Sequence, residues 1–322
     1  AFDEQVFETV RSRQKANLLQ AVDNPDYRAG SQLARLLYPK GHPNYSAPLE
    51  KLLEDLELTS IEAIRDFHSK HYGPESMLLV FAGDIDFEQL KAAVANAFEG
   101  WAGGVPYPTK HPGQITNESS EERIHIADKT SVAVRYGFNT GLQRTQPDYL
   151  PFMLGNYILG GSFHSRLMTE VRKNKGLTYD IRSSHSGDIL TPGNWGLSAS
   201  FSPSLLSDGL EATQAVVGKW FNEGVRGEEV RAAIETLSGS YLVGLSTTGS
   251  VAGQVHSFVQ RGFDATYIDE YPLKLRSLTK AKVNRAIQEH IDPATARLVI
   301  AGSLGPANAA PIIEPSSDCR AL

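Results

Sequence analysis

Two stretches of this chain nearly repeat each other: HYGPESMLLVFAGD at residues 71–84 and HIDPATARLVIAGS at residues 290–303. The two copies share His, Pro, Leu, Val, Ala and Gly in register. Each copy follows a helical pattern, turns at a proline and continues into an apolar strand pattern. A repeat over so long a distance indicates two copies of a whole domain rather than a solenoid of small units.

The repeat predicts the domain boundaries. Residues 1–99 form the C-terminal part of a first domain, and the Gly- and Pro-rich residues 100–121 form a linker. A complete second copy occupies residues 122–304, and a tail follows at residues 305–322. The first copy is shorter than the second by roughly 100 residues, so we expect the chain to begin inside its first domain.

The order of the patterns predicts the fold class. In the second copy, strand patterns come early, including a hairpin of half-buried strands at residues 177–181 and 195–201. Long helical patterns follow, and one strand ends the domain. This order favours an α+β fold with an antiparallel or mixed sheet covered by helices. In the first copy, the single strand pattern at residues 77–82 needs strand partners from elsewhere, because its backbone groups would otherwise stay unpaired.

Composition excludes several classes of protein. A net charge of -6 without a block of lysine or arginine argues against a nucleic-acid partner. No apolar run approaches the ~18 residues that would span a bilayer, so we expect no membrane insertion. The single cysteine, Cys319, excludes an intrachain disulfide but does not identify the compartment, and the bacterial periplasm and the cytoplasm both fit.

The segment with the most candidate functional residues is LGGSFHSRLMTEVRKNKGLTY, residues 159–179. The spacing of Phe163, Leu167 and Val171 predicts that they share one face of a helix over residues 163–174. Gly176 is suited to end that helix, and a strand pattern begins just after it. Gly160-Gly161 is first of all a terminator of the preceding helix.

Arg172 and Tyr179 would project toward one spot in this arrangement. One interpretation is structural: Arg172 favours the helix C-terminus, and Tyr179 is a half-buried strand aromatic. The other is chemical: an arginine and a phenol together donate hydrogen bonds to a substrate carbonyl and stabilise a developing oxyanion. The residues alone leave both interpretations open.

The motifs resemble a known family. Gly-Gly-x-Phe-x-Ser-Arg-Leu, followed by Val-Arg-x-x-x-Gly-Leu-x-Tyr, resembles the second domain of the pitrilysin/insulinase-type zinc metallopeptidases, the inverzincins, which include mitochondrial processing peptidase. His-Tyr-x-Pro before Leu-Val-x-x-Gly-Asp in residues 71–84, and Gly41-His42-Pro43, resemble landmarks of that family's first domain. The resemblance covers nearly the whole chain apart from the tail.

The resemblance implies a fold and a site. The fold is one half of a clamshell, made of two homologous α+β domains. The resemblance assigns Arg172 and Tyr179 to substrate binding and transition-state stabilisation. It implies that the glycine-rich turn contacts the substrate through Gly160, Gly161, Ser162 and Phe163.

The chain departs from the family at the metal site. The family's zinc motif is His-x-x-Glu-His, completed by a distant glutamate. None of the nine histidines begins that motif. The resemblance places Glu8 at the position of the distant ligand, although Glu8 is equally explained as a solvated carboxylate on an amphipathic helix. We therefore expect zinc in the complete enzyme and none in this chain alone.

Three functions fit these observations. The first is the substrate-binding portion of a zinc metalloendopeptidase, which acts on a peptide or protein substrate. The second is a non-proteolytic peptide-binding or assembly subunit, and a purely structural subunit is a third possibility. In each case we expect a partner, which is either a missing N-terminal segment or a homologous catalytic subunit in a hetero- or homodimer.

Other candidate sites are weaker. His68 and His71 lie three residues apart, but the sequence offers no third metal ligand beside them, so surface or capping roles are favoured. A hydrolase triad of His164, Ser165 and Asp180 lacks the Gly-x-Ser-x-Gly nucleophile elbow.

Overall fold

The computed structural model describes residues 2–105, 115 and 118–305. Its strands are β1 Ser120–His125, β2 Val132–Asn139, β3 Thr178–Ser186, β4 Asn194–Phe201 and β5 Arg297–Gly302. Its α-helices are α1 Glu4–Val22, α2 Pro25–Leu37, α3 Leu49–Leu58, α4 Ile61–His71, α5 Phe87–Ala97, α6 Tyr149–Gly160, α7 Leu206–Glu223, α8 Gly227–Gly244, α9 Thr248–Gln260, α10 Tyr267–Arg276 and α11 Lys280–His290. A π-helix spans Met168–Asn174, and short 3-10 helices span Pro74–Ser76, Pro203–Leu205 and Pro293–Thr295. No helix of the described residues is long and apolar enough to cross a membrane.

The described residues divide into two compact units that are discontinuous in sequence. One unit draws on Ala1–Leu18, Leu49–Thr109 and Ser238–Leu273, and its regular elements, as far as they are described, are helical. The other draws on Leu19–Pro48, Lys110–Leu237 and Lys274–Leu322 and contains the sheet. The domain boundaries predicted from the repeat, including the linker at 100–121 and the tail at 305–322, stay a prediction. Half of that linker and nearly all of that tail lie outside the described residues.

The sheet is mixed, and the predicted α+β class is confirmed. Its strand order is β1-β5-β2-β4-β3, in which β1 and β5 run parallel and the other neighbours run antiparallel. The predicted hairpin is β3 and β4, with alternate residues of β4 buried. The pairing of β3 with β4 shifts register between Thr178 and Ile181, and Tyr179 lies within this irregular stretch.

Helices α6, α7 and α11 pack together on one face of the sheet. Two buried tryptophans donate hydrogen bonds from their indole nitrogens to residues of α6. Trp195 Nε1 donates to Asn156 Oδ1 at 2.9 Å, and Trp220 Nε1 donates to the Gly155 carbonyl at 3.1 Å. Gly155 also lies where an added Cβ would be 2.8 Å from the Ile287 side chain of α11. A buried indole needs such a partner, because an unpaired N–H is costly away from water.

Helix α2 packs against β2 and β5 and completes the core of the unit with the sheet. The buried side chains of Ala29 and Leu33 lie in one cluster with Ala133, Val299 and Ala301. A helix that precedes residue 100 thus shares a core with strands that follow residue 118.

The sequence repeat is visible in the local structure, but its two copies diverge at the strand. Both α4 and α11 end at the repeated histidine, and a 3-10 helix begins at the repeated proline. The Nδ1 atoms of His71 and His290 each lie within hydrogen-bond distance of a backbone carbonyl oxygen, at 2.8 and 3.2 Å. The second copy then forms β5, which is buried between β1 and β2.

The first copy does not form the strand that the sequence predicts. Residues 77–82 have no strand assignment, and Leu78, Leu79 and Phe81 are exposed. The prediction of a strand was wrong for this chain, because a strand requires a hydrogen-bonded neighbour and the described residues provide none here.

Candidate functional site

Helix α6 ends at the glycine pair, as the sequence predicts. Gly160 is buried against β3, where an added Cβ would lie 2.5 Å from the backbone nitrogen of Ser183. Gly161 is the C-cap, and an added Cβ there would lie 2.7 Å from Tyr157 Cα. A side chain at Gly160 would collide with the backbone of β3, so this glycine is required for the close approach of helix and strand, whereas a side chain at Gly161 would collide with the last turn of α6 itself.

The chain then turns before the next helix begins. Phe163 lies in this turn, and its side chain is 68% exposed. Leu167 and Val171 are fully buried, as predicted, but the prediction that Phe163 shares their helical face was wrong. The helical hydrogen-bonding pattern starts only at Arg166, because residues 161–165 carry the chain through a turn and bend.

The next helix is a π-helix that closes at Gly176. The Lys175 N–H donates to the Glu170 carbonyl at 3.2 Å, which is the i to i+5 spacing of a π-helix. Gly176 has a φ of 65°, its N–H donates to the Arg172 carbonyl, and the Leu177 N–H donates to the Val171 carbonyl. The predicted glycine cap is confirmed. π-Helical turns occur frequently at functional sites.

This geometry brings Arg172 and Tyr179 together. The guanidinium carbon of Arg172 lies over the Tyr179 ring, 4.6 Å from its centroid, and over the Phe163 ring, 4.9 Å from its centroid. Tyr179 is 82% exposed. The side chains converge as the spacing predicts, and the interpretation of Tyr179 as a half-buried aromatic does not fit its exposure.

The Arg172 guanidinium has no carboxylate partner among the described residues. The two acidic groups near it in sequence are engaged elsewhere: Glu170 Oε2 accepts from Asn174, and Asp180 pairs with Arg182. Arg166 is different, because Glu229 binds its guanidinium through two nitrogens. Arg172 therefore keeps N–H donors available for a ligand oxygen, whereas Arg166 is held within the fold.

Glu8 lies on α1 and forms an ion pair with Arg11 at 2.7 Å. Within the described residues, Glu8 belongs to no group of three side chains that could share a metal ion. The pair with Arg11 is what a solvated carboxylate on a helix makes. Its assignment as a zinc ligand stays a prediction about the complete protein.

Sequence reasoning missed a polar cluster at the end of α11. Ligand atoms of Asp148, Glu289 and His290 lie within 4.8 Å of one another. Arg285 donates to Asp148 at 2.9 Å. Burial opposes the charge on Asp148, but Arg285 outweighs that effect and holds the pKa of Asp148 below its usual value. Since Arg285 already neutralises the aspartate, we treat the cluster as an ion-pair network rather than a metal site.

A second missed network is buried behind the hairpin. His185 lies between Asp188 Oδ2, at 3.1 Å from Nδ1, and Thr140 Oγ1, at 2.8 Å from Nε2. Arg144 Nε donates to the other Asp188 oxygen at 2.7 Å. Burial opposes the charge on Asp188, but His185 and Arg144 outweigh it and lower the pKa of Asp188 to about 2.

This network has the residue types of a hydrolytic triad, yet its hydroxyl is not accessible to a substrate. Thr140 is buried, and its hydroxyl lies 2.9 Å from the carbonyl oxygen of Gly193, to which it donates. The triad that the sequence argued against is also absent from the described structure. Ser165 is buried at the start of a helix, and Asp180 pairs with Arg182.

The chain combines an α+β fold with a sequence in which the motif His-x-x-Glu-His does not occur. The chain belongs to the peptidase M16 inactive-domain family, whose model matches residues 59–237. The resemblance to pitrilysin/insulinase-type peptidases is thereby confirmed.

Three known proteins illustrate the range of the family. An uncharacterized zinc protease of Streptomyces coelicolor is 26% identical over 247 residues, which cover 75% of this chain and 53% of that protein. A Helicobacter pylori protein named as a non-peptidase homolog is 22% identical over 293 residues, which cover 90% of this chain and 66% of that protein. The crystal structure of a peptidase M16 inactive domain from Pseudomonas fluorescens has a TM-score of 0.77 at 20% identity and covers 94% of this chain and 71% of that chain.

The chain spans about half the length of curated relatives such as the Streptomyces protein. Proteins named as proteases and as non-peptidases both occur among them. Family membership alone therefore leaves open whether the complete protein cleaves peptide bonds.

Proposed function

We propose that this chain is the substrate-binding portion of a zinc-dependent metalloendopeptidase, in which Arg172 and Tyr179 bind the carbonyl oxygen of the substrate. The observation that carries the proposal is the exposed contact between them, 4.6 Å from guanidinium carbon to ring centroid. An arginine that has no carboxylate partner among the described residues and an exposed phenol can both donate to one oxygen. Donors placed in this way stabilise negative charge as it develops on that oxygen.

The turn at residues 160–163 supplies the proposed substrate contact beside this pair. Gly161 and Phe163 are exposed, and Ser162 is partly exposed. Gly160 is buried and contributes by letting the turn lie directly against β3. An extended peptide that lies along this turn would meet backbone donors, a hydroxyl and an aromatic ring.

The residues of this chain do not fit a complete catalytic zinc site. Such a site needs three protein ligands and an open position for water. The chain lacks the two histidines of the motif, and Glu8 is engaged with Arg11. We place zinc and the hydrolytic step in the remainder of the complete protein or in a homologous catalytic subunit, to which Glu8 would contribute one ligand.

The second candidate is a non-proteolytic peptide-binding or assembly subunit. It is supported by the relative named as a non-peptidase homolog, which matches 90% of this chain. The same exposed pair would then hold an extended peptide without cleavage, or the chain would stabilise a catalytic partner in a hetero- or homodimer.

Binding of an unfolded polypeptide tests the proposal directly. We expect fluorescein-labelled casein to bind the chain, and we expect Arg172→Lys to weaken binding because an ammonium cannot reproduce the guanidinium fork. Arg182→Lys is the matched control, since Arg182 is an exposed arginine on β3, the strand that also carries Tyr179, and it pairs with Asp180. Equal binding by both variants and the wild type would contradict the proposal.

Cleavage of casein by the complete protein separates the two candidates. Chelator-sensitive cleavage that Arg172→Lys lowers and Arg182→Lys leaves unchanged supports the endopeptidase. Binding without cleavage supports the non-proteolytic subunit.

A further inference from the structure

Phe163 occupies a position that core packing does not explain. Its side chain is 68% exposed, and it precedes the helix whose buried face Leu167 and Val171 form. A large aromatic side chain in an exposed turn gains little from burial. Its closest recorded interactions are with Arg172, 4.9 Å from the ring centroid to the guanidinium carbon, and edge-on with His164 at 6.0 Å.

Arg172 depends on aromatic rings for its placement. Among the described residues, its guanidinium makes no ion pair, and Phe163 and Tyr179 are the two rings over which it lies. A long arginine side chain on the surface has many rotamers, and each contact that selects one of them prepares the guanidinium for a ligand. Tyr179 alone provides one such contact, and Phe163 provides the second.

We infer that Phe163 is a positioning residue that holds the guanidinium of Arg172 in place for a ligand oxygen. This inference rests on the proposed function of Arg172 and Tyr179. A ring attracts the cation through its face but offers no oxygen acceptor, so the contact leaves the N–H donors of Arg172 unused. A carboxylate in the same position would occupy those donors and compete with the ligand.

The arrangement also indicates the class of ligand. A guanidinium presents its donors in a planar fork, which matches the carbonyl or carboxylate oxygens of a peptide. The Phe163 ring beside it adds an apolar surface for the neighbouring part of the ligand. We therefore assign the site to extended peptides rather than to isolated anions, and inorganic phosphate serves as the negative probe.

The test compares Phe163→Leu with Phe163→Tyr in the full chain. Phe163→Leu removes the ring, whereas Phe163→Tyr keeps it. Phe87→Leu is the matched control, because Phe87 is 70% exposed and has no recorded cation contact among the described residues. The first measurement is the NMR resonance of the Arg172 Nε–H, which a nearby ring shifts, and the second is the binding of fluorescein-labelled casein.

We expect Phe163→Leu to move the Arg172 resonance and to weaken casein binding about two- to fivefold, the size of one exposed cation–π contact. Phe163→Tyr should retain both wild-type values, and Phe87→Leu should change neither. Inorganic phosphate should not compete with casein when the ionic strength is held constant.

Three results would overturn the inference. An unchanged Arg172 resonance in Phe163→Leu would show that the ring does not position the guanidinium. Weaker binding in Arg172→Lys together with unchanged binding in Phe163→Leu would leave the proposed function intact and remove the role of Phe163. Unchanged binding in both variants would remove the proposed function, and the inferred ligand with it.

Discussion

Nδ1 of His185 lies 3.1 Å from Oδ2 of Asp188, and both side chains are almost completely buried. Arg144 binds the other oxygen of the same carboxylate. Asp188 lies in the loop between β3 and β4, and its ion pair with Arg144 thus links this loop to the segment that follows β2. Removing a buried charge partner is costly, because the groups left behind lose their compensation.

We expect Asp188→Asn to lower the free energy of unfolding at pH 7 by on the order of 3 kcal/mol. The folded pKa of Asp188, about 2, lies below the ordinary value of 3.8. The stabilisation is therefore present above about pH 4 and is lost as the pH falls toward 2. Urea unfolding between pH 7 and pH 3 measures this, with Asp180→Asn, at a partly exposed aspartate, as the control. The difference between wild type and Asp188→Asn should be constant from pH 7 to pH 5 and should shrink between pH 5 and pH 3, because the unfolded chain is protonated at a higher pH than the folded one. A difference that stays constant down to pH 3 would contradict the lowered folded pKa.

Tyr179→Phe removes the phenolic hydroxyl and keeps the ring beneath Arg172. In the complete active protein, we expect kcat to fall about a hundredfold, which corresponds to the loss of one oxyanion donor worth ~3 kcal/mol. Tm should not change, because Tyr179 is exposed and its hydroxyl makes no recorded hydrogen bond within the described structure. Tyr72→Phe, at another exposed tyrosine, is the control. If Tyr179→Phe lowered Tm and left kcat unchanged, Tyr179 would be a packing residue.

Gly160→Ala introduces a Cβ atom 2.5 Å from the backbone of β3. We expect the substitution to destabilise the chain by about 1–3 kcal/mol, the usual cost of overpacking. Gly239→Ala is a suitable comparison, because Gly239 lies in helix α8 with nothing within 4 Å of the added atom. It should leave stability unchanged or raise it by up to about 1 kcal/mol. Equal stabilities of the two variants in chemical denaturation would argue against the close contact of α6 and β3.

Zinc should not bind tightly to this chain alone, because one carboxylate cannot replace a site of three ligands. We expect metal analysis after dialysis against zinc to find no stoichiometric metal, and we expect no chelator-sensitive cleavage of casein. Glu8→Gln should behave like the wild type in both assays. Retention of one zinc ion that is lost in Glu8→Gln would mean that the chain forms a metal site around Glu8.

The two copies of the repeat should differ in hydrogen exchange. Residues 77–82 have no strand partner among the described residues, so we expect their amides to exchange quickly in the isolated chain. The amides of β5, at the corresponding position of the second copy, should be strongly protected because β5 lies between two strands. Addition of the remaining part of the protein should slow exchange at 77–82. Strong protection of these residues in the isolated monomer would contradict this picture.

Much of the fold follows from local patterns in the sequence. The alternation of Trp195, Leu197, Ala199 and Phe201 predicts β4, and α11 ends at His290 as its apolar spacing and the following proline indicate. Helix α10 was not predicted, because it contains Pro272, which usually breaks a helix. The carbonyl of Ile268, which the N–H of residue 272 would otherwise bind, accepts instead from the Tyr241 hydroxyl at 2.7 Å.

The candidate site was predictable in part. The spacing of Arg172, Gly176 and Tyr179 is local, so the sequence predicts that the two side chains meet. The place of Phe163 was not predictable, because the turn after Gly160 delays the start of the helix. The pairing of Thr140 with His185 joins residues 45 positions apart, and periodicity carries no signal for such a contact.

Helix α2 has a practical consequence for work on this protein. Its apolar side chains form one cluster with Ala133, Val299 and Ala301 of the sheet. A fragment that began after residue 100 would keep the strands but expose this face to water, and exposed apolar sheet surface promotes aggregation. The second domain predicted from the repeat, residues 122–304, therefore lacks a helix that contributes to its core. An expression fragment that aims to retain the arginine and tyrosine pair should include residues 19–48.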